Sequence, residues 1–261
     1  MTCIPFPAYN VDKGLKPLNN IFCSILHRDS EFTQNLGQNP VEVVPDSFQS
    51  FLVNGANFTD REEYPIIPQR FVSSAIPQKI MPFNKAITFR GDLHDTFISF
   101  YSPDETFERV RRTPKRYLSF FQRTAGLIGP DFSIHSDMPL IKQKSQINDN
   151  LSLTYYYGSQ GIPIIPNLRC GTDELLPEFL AAIPCHRLVA IGTHGFVHQK
   201  HEQCEWYCFI ESFCEKLKPA GIIVYGTLRN KMFEELKNSY PFFFYEPWIC
   251  QRAKGGRLNG N

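Results

Sequence analysis

The 261 residues carry 27 Lys and Arg against 26 Asp and Glu, a net charge of +1, with 42% hydrophobic residues. This balance excludes a polyelectrolyte and a chain drawn to nucleic acid or membrane by its overall field, so any basic patch must be local. No apolar run reaches the roughly 20 residues that cross a bilayer. The start, Met1-Thr2-Cys3-Ile4-Pro5-Phe6-Pro7, has neither the basic region nor the continuous apolar stretch of a secretory signal. A cytoplasmic protein is expected, with its 8 Cys as reduced thiols. The 23 Phe imply a core packed with aromatic rings.

In chain order, residues 1–82 read as an irregular arm that wraps the main domain, a separate small domain being the alternative. Prolines recur at positions 5, 7, 17, 40, 45, 65, 68, 77 and 82, each removing a backbone donor and favouring extended geometry before it. Regular pattern begins at Phe97–Tyr101, a strand that stops at Ser102-Pro103-Asp104. A helix follows at Phe107–Val110, and another restarts at Thr113-Pro114, with Thr as cap and Pro at the first helical position. Strand Leu127-Ile128 leads to a helix over Ile141–Tyr157 that Gly161 ends. Strand Ile162–Ile165 leads to a short helix over Leu175–Ala182, interrupted or restarted at Pro177. Strand Leu188–Ile191 leads to helix Glu202–Leu217, with Trp206, Phe209, Ile210, Phe213 and Leu217 on one face. Strand Gly221–Tyr225, helix Lys231–Lys237 and strand Phe242–Tyr245 close the α/β domain, residues 83–250. Residues 251–261 read as a disordered basic tail.

This alternation predicts an α/β fold: a mostly parallel sheet of about six strands with flanking helices, either open and doubly wound or an incomplete barrel. A full eight-stranded barrel would need two strands from the arm. In either arrangement the carboxyl ends of the strands share one edge, where such folds bind ligands. That edge collects Asp104, Asp131, Ser133, Asn167, Arg169, Thr193, His194, Tyr225 and Glu246. Asp131 and His194 are the candidates for acid–base catalysis. Arg169 suits carboxylate or phosphate binding or a structural ion pair, and the others suit substrate positioning. Polar strand ends also serve simply as caps and wet loops.

Two further clusters call for the same weighing. His194, His198, His201, Cys204, Cys208 and Cys214 include an i, i+3, i+7 set on one helix, but no CxxC and no zinc-finger spacing is present. Buried thiols beside surface histidines are the simpler account, no metal ligand set is assigned, and the cofactor is left unknown with a divalent metal as an option. Arg109, Arg112 and Arg116, with Arg111, Lys115 and Arg123, make a basic segment interleaved with aromatics that suits a phosphate backbone or a solvated helix face. No Walker loop, GxGxxG, GxSxG or HExxH is present.

Several blocks, Phe97–Arg109 (FISFYSPDETFER), Gly129–Pro139 (GPDFSIHSDMP), Gly161–Arg169 (GIPIIPNLR), Val189–Gly195 (VAIGTHG) and Ile222–Gly226 (IIVYG), occur in one order. Through them the chain resembles an uncharacterised domain-of-unknown-function family of bacteria, phages and mobile elements. The resemblance spans about residues 80–247 and implies the fold and the site edge without a reaction. Family members tend to carry an acidic residue at Ser102, Trp at Cys170 and arginines where this chain reads Asn148-Asp149-Asn150-Leu151. The expected function is an enzyme of phage or mobile-element type, a hydrolase acting on a phosphate-containing or nucleic-acid substrate. The alternative is a non-catalytic nucleic-acid- or protein-binding factor.

Overall fold

In the computed structural model the chain divides into two compact units, Met1–Ser47 and Phe48–Asn261. The structure describes residues 46–193, 200–226 and 234–250, without the side chains of 200–207 and 234–235, and every element below belongs to the second unit. The first 45 residues of the expected arm, and the tail from 251, lie outside the described residues.

Seven parallel strands run β1 (Lys79–Pro82), β2 (Thr96–Ser99), β3 (Gly126–Ile128), β4 (Ile164–Ile165), β5 (Leu188–Gly192), β6 (Gly221–Tyr225) and β7 (Phe242–Tyr245). The helices between them are α1 (Phe83–Ala86), α2 (Glu108–Arg112), α3 (Leu118–Phe121), α4 (Leu140–Ser159), α5 (Leu176–Ala181), α6 (Lys200–Leu217) and α7 (Glu234–Lys237). β1 to β4 form one ladder and β5 to β7 another, each in sequence order. The two are stitched where the Ala190 amide donates to the Pro166 carbonyl and the Leu168 amide to the Ala190 carbonyl, both at 2.8 Å. At the start of β4 the Ser73 amide bonds the Ile164 carbonyl.

The order never reverses, which separates this sheet from a doubly wound one. Four strand spacings would put β2 and β6 about 19 Å apart in a flat sheet. Instead Tyr101, just past β2, stacks on Tyr225 of β6 with centroids 5.2 Å apart and rings 18° from parallel. The sheet therefore curls on itself. No ladder joins β7 to β1 among the described residues, where Tyr245 donates its hydroxyl to the Pro77 carbonyl. The result is an incomplete barrel rather than a closed one.

Both faces of the curl are buried, as parallel strands require. Inside, Ile80, Phe97, Tyr101, Ile128, Ile165, Ile223 and Tyr225 share one cluster. Outside, Met81, Ile98, Phe100, Leu127 and Ile164 pack against Phe83, Phe107, Phe121 and Tyr157. Part of the phenylalanine content goes to that outer layer, where Phe83 touches the rings of Phe100, Tyr117, Phe120 and Phe121. On α6 the expected apolar face holds for Ile210, Phe213 and Leu217, while the Trp206 side chain is outside the description.

Two local expectations need correction. The sheet starts earlier than the pattern placed it, because β1 lies within the Pro-rich stretch; its four residues end on a proline, which an edge strand tolerates. Thr113 and Pro114 take the expected N-cap and first positions of the turn Pro114–Tyr117, but the Thr113 hydroxyl makes no cap bond: it donates back to the Arg109 carbonyl at 3.0 Å. Gly161 does end α4. With φ of 82° it completes a left-handed stop in which the Ile162 and Gly161 amides bond the Tyr157 and Gly158 carbonyls.

Gly192, closing β5, matters for the curl. A methyl there would sit 2.5 Å from Tyr101 Cδ1, and that ring is backed by Tyr225. Gly192→Ala is expected to cost about 1–3 kcal/mol by overpacking, read as a lower urea midpoint at an unchanged m-value. A midpoint equal to wild type would mean that the tyrosine pair shifts freely.

Candidate active site

The strand ends converge on a cavity of about 500 Å³ lined by Pro82, Asn84, Lys85, Tyr101, Ser102, Pro103, Asp131, Ser133, Arg169, Tyr225, Pro247, Trp248 and Ile249. Each comes from the segment just past a strand, or its last residue, so the position follows from parallel winding.

Asp131 follows β3. Its Oδ1 accepts from the Asn167 amide at 2.7 Å, and its Oδ2 lies 3.8 Å from an Arg169 guanidinium nitrogen. Its side chain is 14% exposed and that of Arg169 11%. Burial pushes the Asp131 carboxyl above the ordinary carboxylate range; Arg169 and the Asn167 amide act against this, and the charge of Asp104 adds to it. Asn167, after β4, is fully committed: its amide also donates to the Pro130 carbonyl at 3.3 Å and its oxygen accepts from the Tyr101 hydroxyl at 2.8 Å. Burial, foremost, and the Asp131 charge hold the Tyr101 phenol well above its usual value. Burial also raises Tyr225. The Tyr225 oxygen accepts from the Trp248 amide at 2.9 Å, which leaves the hydroxyl proton for a ligand.

Asp104 stands behind this layer and accepts both the amide and the hydroxyl of Ser133 at 3.1 Å, which ties the loops after β2 and β3 together. The structure thus brings Asp131, Ser133, Arg169 and Tyr225 to one cavity and puts Asp104 and Asn167 directly behind them. Thr193 is buried off the cavity, with its amide on the Tyr225 carbonyl at 3.0 Å, and Glu246 is exposed outside the lining. His194 lies outside the described residues.

The basic segment sits elsewhere, off the cavity lining, with Arg109, Arg112, Lys115 and Arg116 exposed. Arg109 lies over the Phe83 and Tyr117 rings, Arg112 bonds Glu108 at 3.3 Å, and Arg111 bridges Glu108 and Asp149. Among the described residues no three His, Cys, Asp or Glu stand together as a metal ligand set. In the Cys/His cluster, Cys208 is an exposed thiol and Cys214 a buried one; the histidines and Cys204 are outside the description.

Sequence reasoning missed Tyr101, Trp248 and Lys85 as cavity residues. It also missed the amides of α4 that hold the loops. Asn150 donates to and accepts from the Phe132 backbone. Gln143 donates to the Met138 carbonyl at 2.8 Å and accepts the Thr172 amide at 2.9 Å. Gln146 donates to the Ser133 carbonyl at 3.4 Å. The signal was available: three amides at i, i+3 and i+7 of one helix lie on one face.

The family described as Domain of unknown function (DUF4417) matches residues 60–243. The Gene 1 protein of Mycobacterium phage D29 is 27% identical over 164 residues, covering 62% of this chain and 59% of that protein. The Gene 1 protein of Mycobacterium phage L5 is 26% identical over 196 residues, covering 73% of this chain and 83% of that protein. No solved structure matches. The match takes in β1 to β6 and nearly every strand-end residue described above, with phage proteins among its relatives, and the chain belongs to the DUF4417 family.

Proposed function

We propose that this protein is an enzyme, a hydrolase acting on a small phosphate-containing substrate at the carboxyl ends of its strands. The observation that carries the reading is Asp131: a buried carboxyl held above its ordinary range, on a cavity wall, with Arg169 beside it. Perturbed carboxyls in clefts are where proton transfer is done. In its ionised form Asp131 takes a proton from the attacking water as the new P–O bond forms. The P–O bond to the ester alcohol breaks, and that alcohol leaves protonated by the proton Asp131 has taken. Arg169, with Lys85 on the same cavity, bears the charge on the phosphoryl oxygens. Tyr225 gives its hydroxyl hydrogen to the substrate, and Asp104 holds Ser133 in place. The alternative, a nucleic-acid- or protein-binding factor working through the basic helix, would use the exposed Arg109, Arg112 and Arg116; it has less support, since these lie off the cavity that holds the buried carboxyl.

Steady-state hydrolysis of p-nitrophenyl phosphate, its bis ester and nucleoside phosphates tests the reading. Wild type is expected to turn over at least one of them, and Arg169→Gln to raise KM about tenfold, the loss of one charge-assisted contact. Rates at background for every ester would remove the proposal.

A further inference from the structure

The cavity has two unlike walls. Asp131 and Ser133 past β3, with Arg169 past β4, make a charged one. Tyr225 at the end of β6, with Pro247, Trp248 and Ile249 past β7, makes an apolar and aromatic one. In a curled sheet β3 and β4 face β6 and β7, so the walls oppose each other. Tyr101 lies between, stacked on Tyr225 and hydrogen-bonded to Asn167. Pro247 is buried, the Trp248 backbone amide is fixed on the Tyr225 hydroxyl, and the half-buried Trp248 side chain packs against the outer core cluster while it lines the cavity.

A bare anion or an aliphatic phosphate would use the charged wall alone and leave the half-buried Trp248 and the exposed Ile249 against water. A flat ring laid on the second wall removes that apolar surface from solvent and finds aromatic partners. At about 500 Å³ the cavity is of the size that encloses a single small molecule. A polymer strand is tracked along a positively charged groove instead, and the basic segment that would supply one contributes no residue to the cavity lining.

We propose that the site takes a small anion carrying a planar ring, of the nucleoside monophosphate class, with its phosphate on Arg169 and its base on the Trp248 wall. This rests on the phosphate reading above and adds the ring. Isothermal titration of the full chain with adenosine and thymidine 5′-monophosphates, ribose 5-phosphate, adenosine, 1-naphthyl phosphate and a single-stranded oligonucleotide tests it. A nucleoside monophosphate is expected to bind at least tenfold tighter than ribose 5-phosphate. Trp248→Ala should shrink that ratio to about twofold while leaving ribose 5-phosphate unchanged, and Trp248→Phe should restore most of it. Ribose 5-phosphate binding as tightly as the nucleotides overturns the ring and leaves the phosphate reading standing. Adenosine binding as tightly as its monophosphate, with Arg169→Gln silent, overturns the phosphate reading itself. Preference for 1-naphthyl phosphate overturns the nucleoside assignment, preference for the oligonucleotide overturns the small-molecule assignment, and no binding by any probe overturns both readings.

Discussion

Asp131→Asn is expected to melt higher than wild type at neutral pH while losing turnover. Burial is the largest influence on this carboxyl and opposes its charge, and the opposing pull of Arg169 and Asn167 does not cancel it. The folded protein therefore holds the proton more tightly than the unfolded chain does. Below the unfolded value, about 3.9 for Asp, both states are protonated and nothing is lost. As pH rises from there through the raised folded value, the unfolded chain releases its proton first and stability falls, to a constant deficit above it. Asparagine keeps the shape and removes the deficit, a gain of about 1 kcal/mol or roughly 2–4 °C at neutral pH. The gap should close near pH 4. Loss of a positioned acid–base group should lower the rate about 10²- to 10⁴-fold. Calorimetry at the two pH values, with hydrolysis assayed in parallel, reads both. A lower melting temperature at neutral pH would make Asp131, Asn167 and Arg169 a structural ion-pair group and withdraw the catalytic role.

Asn150→Leu should be the most destabilising single change near the site. Its side chain accepts from the Phe132 amide at 3.0 Å and donates to the Phe132 carbonyl at 3.3 Å, and Phe132 is only 1% exposed. Leucine has nearly the same size and makes neither bond. The backbone amide and carbonyl stay buried, each at a cost of about 1–3 kcal/mol when unsatisfied, so a total near 3 kcal/mol is expected. In a unit of this size that is about 6–12 °C. Urea unfolding measures it. Because Phe132 adjoins Asp131, the surviving folded fraction should also show a raised KM. A loss below about 1 kcal/mol would mean that the loop after β3 is held from elsewhere.

How much was legible follows from what each residue depends on. Six of the seven strands announce themselves as apolar runs ending on polar residues, and the parallel arrangement follows from the helices between them. The strand-end rule then placed Asp131, Ser133, Arg169 and Tyr225 on one rim, where they line one cavity. The curl was not legible, because a doubly wound sheet and a barrel share the same local alternation; the choice shows only in the Tyr101–Tyr225 stack between distant strands. Tyr101 reads as one more core aromatic, and buried it is, with its hydroxyl turned to Asn167. The partners of the α4 amides lie on loops whose paths no periodicity encodes. The Pro-rich stretch hid β1 and the buried Val72, whereas the buried Tyr64 and Ile67 lie in an apolar piece between prolines that the sequence does show.

The open seam between the first and last strands bears on the cavity itself. Pro82, Asn84 and Lys85 leave one lip of that seam, and Pro247, Trp248 and Ile249 leave the other. The cavity is thus flanked by two rims that no backbone ladder laces together among the described residues, with a phenol-to-carbonyl clasp from Tyr245 to Pro77 between them. The Trp248 side chain, packed on the outer cluster that holds Met81 and Phe83, adds a second tie between the two lips, so the last strand is held to the first by side chains where a ladder would have closed the ring.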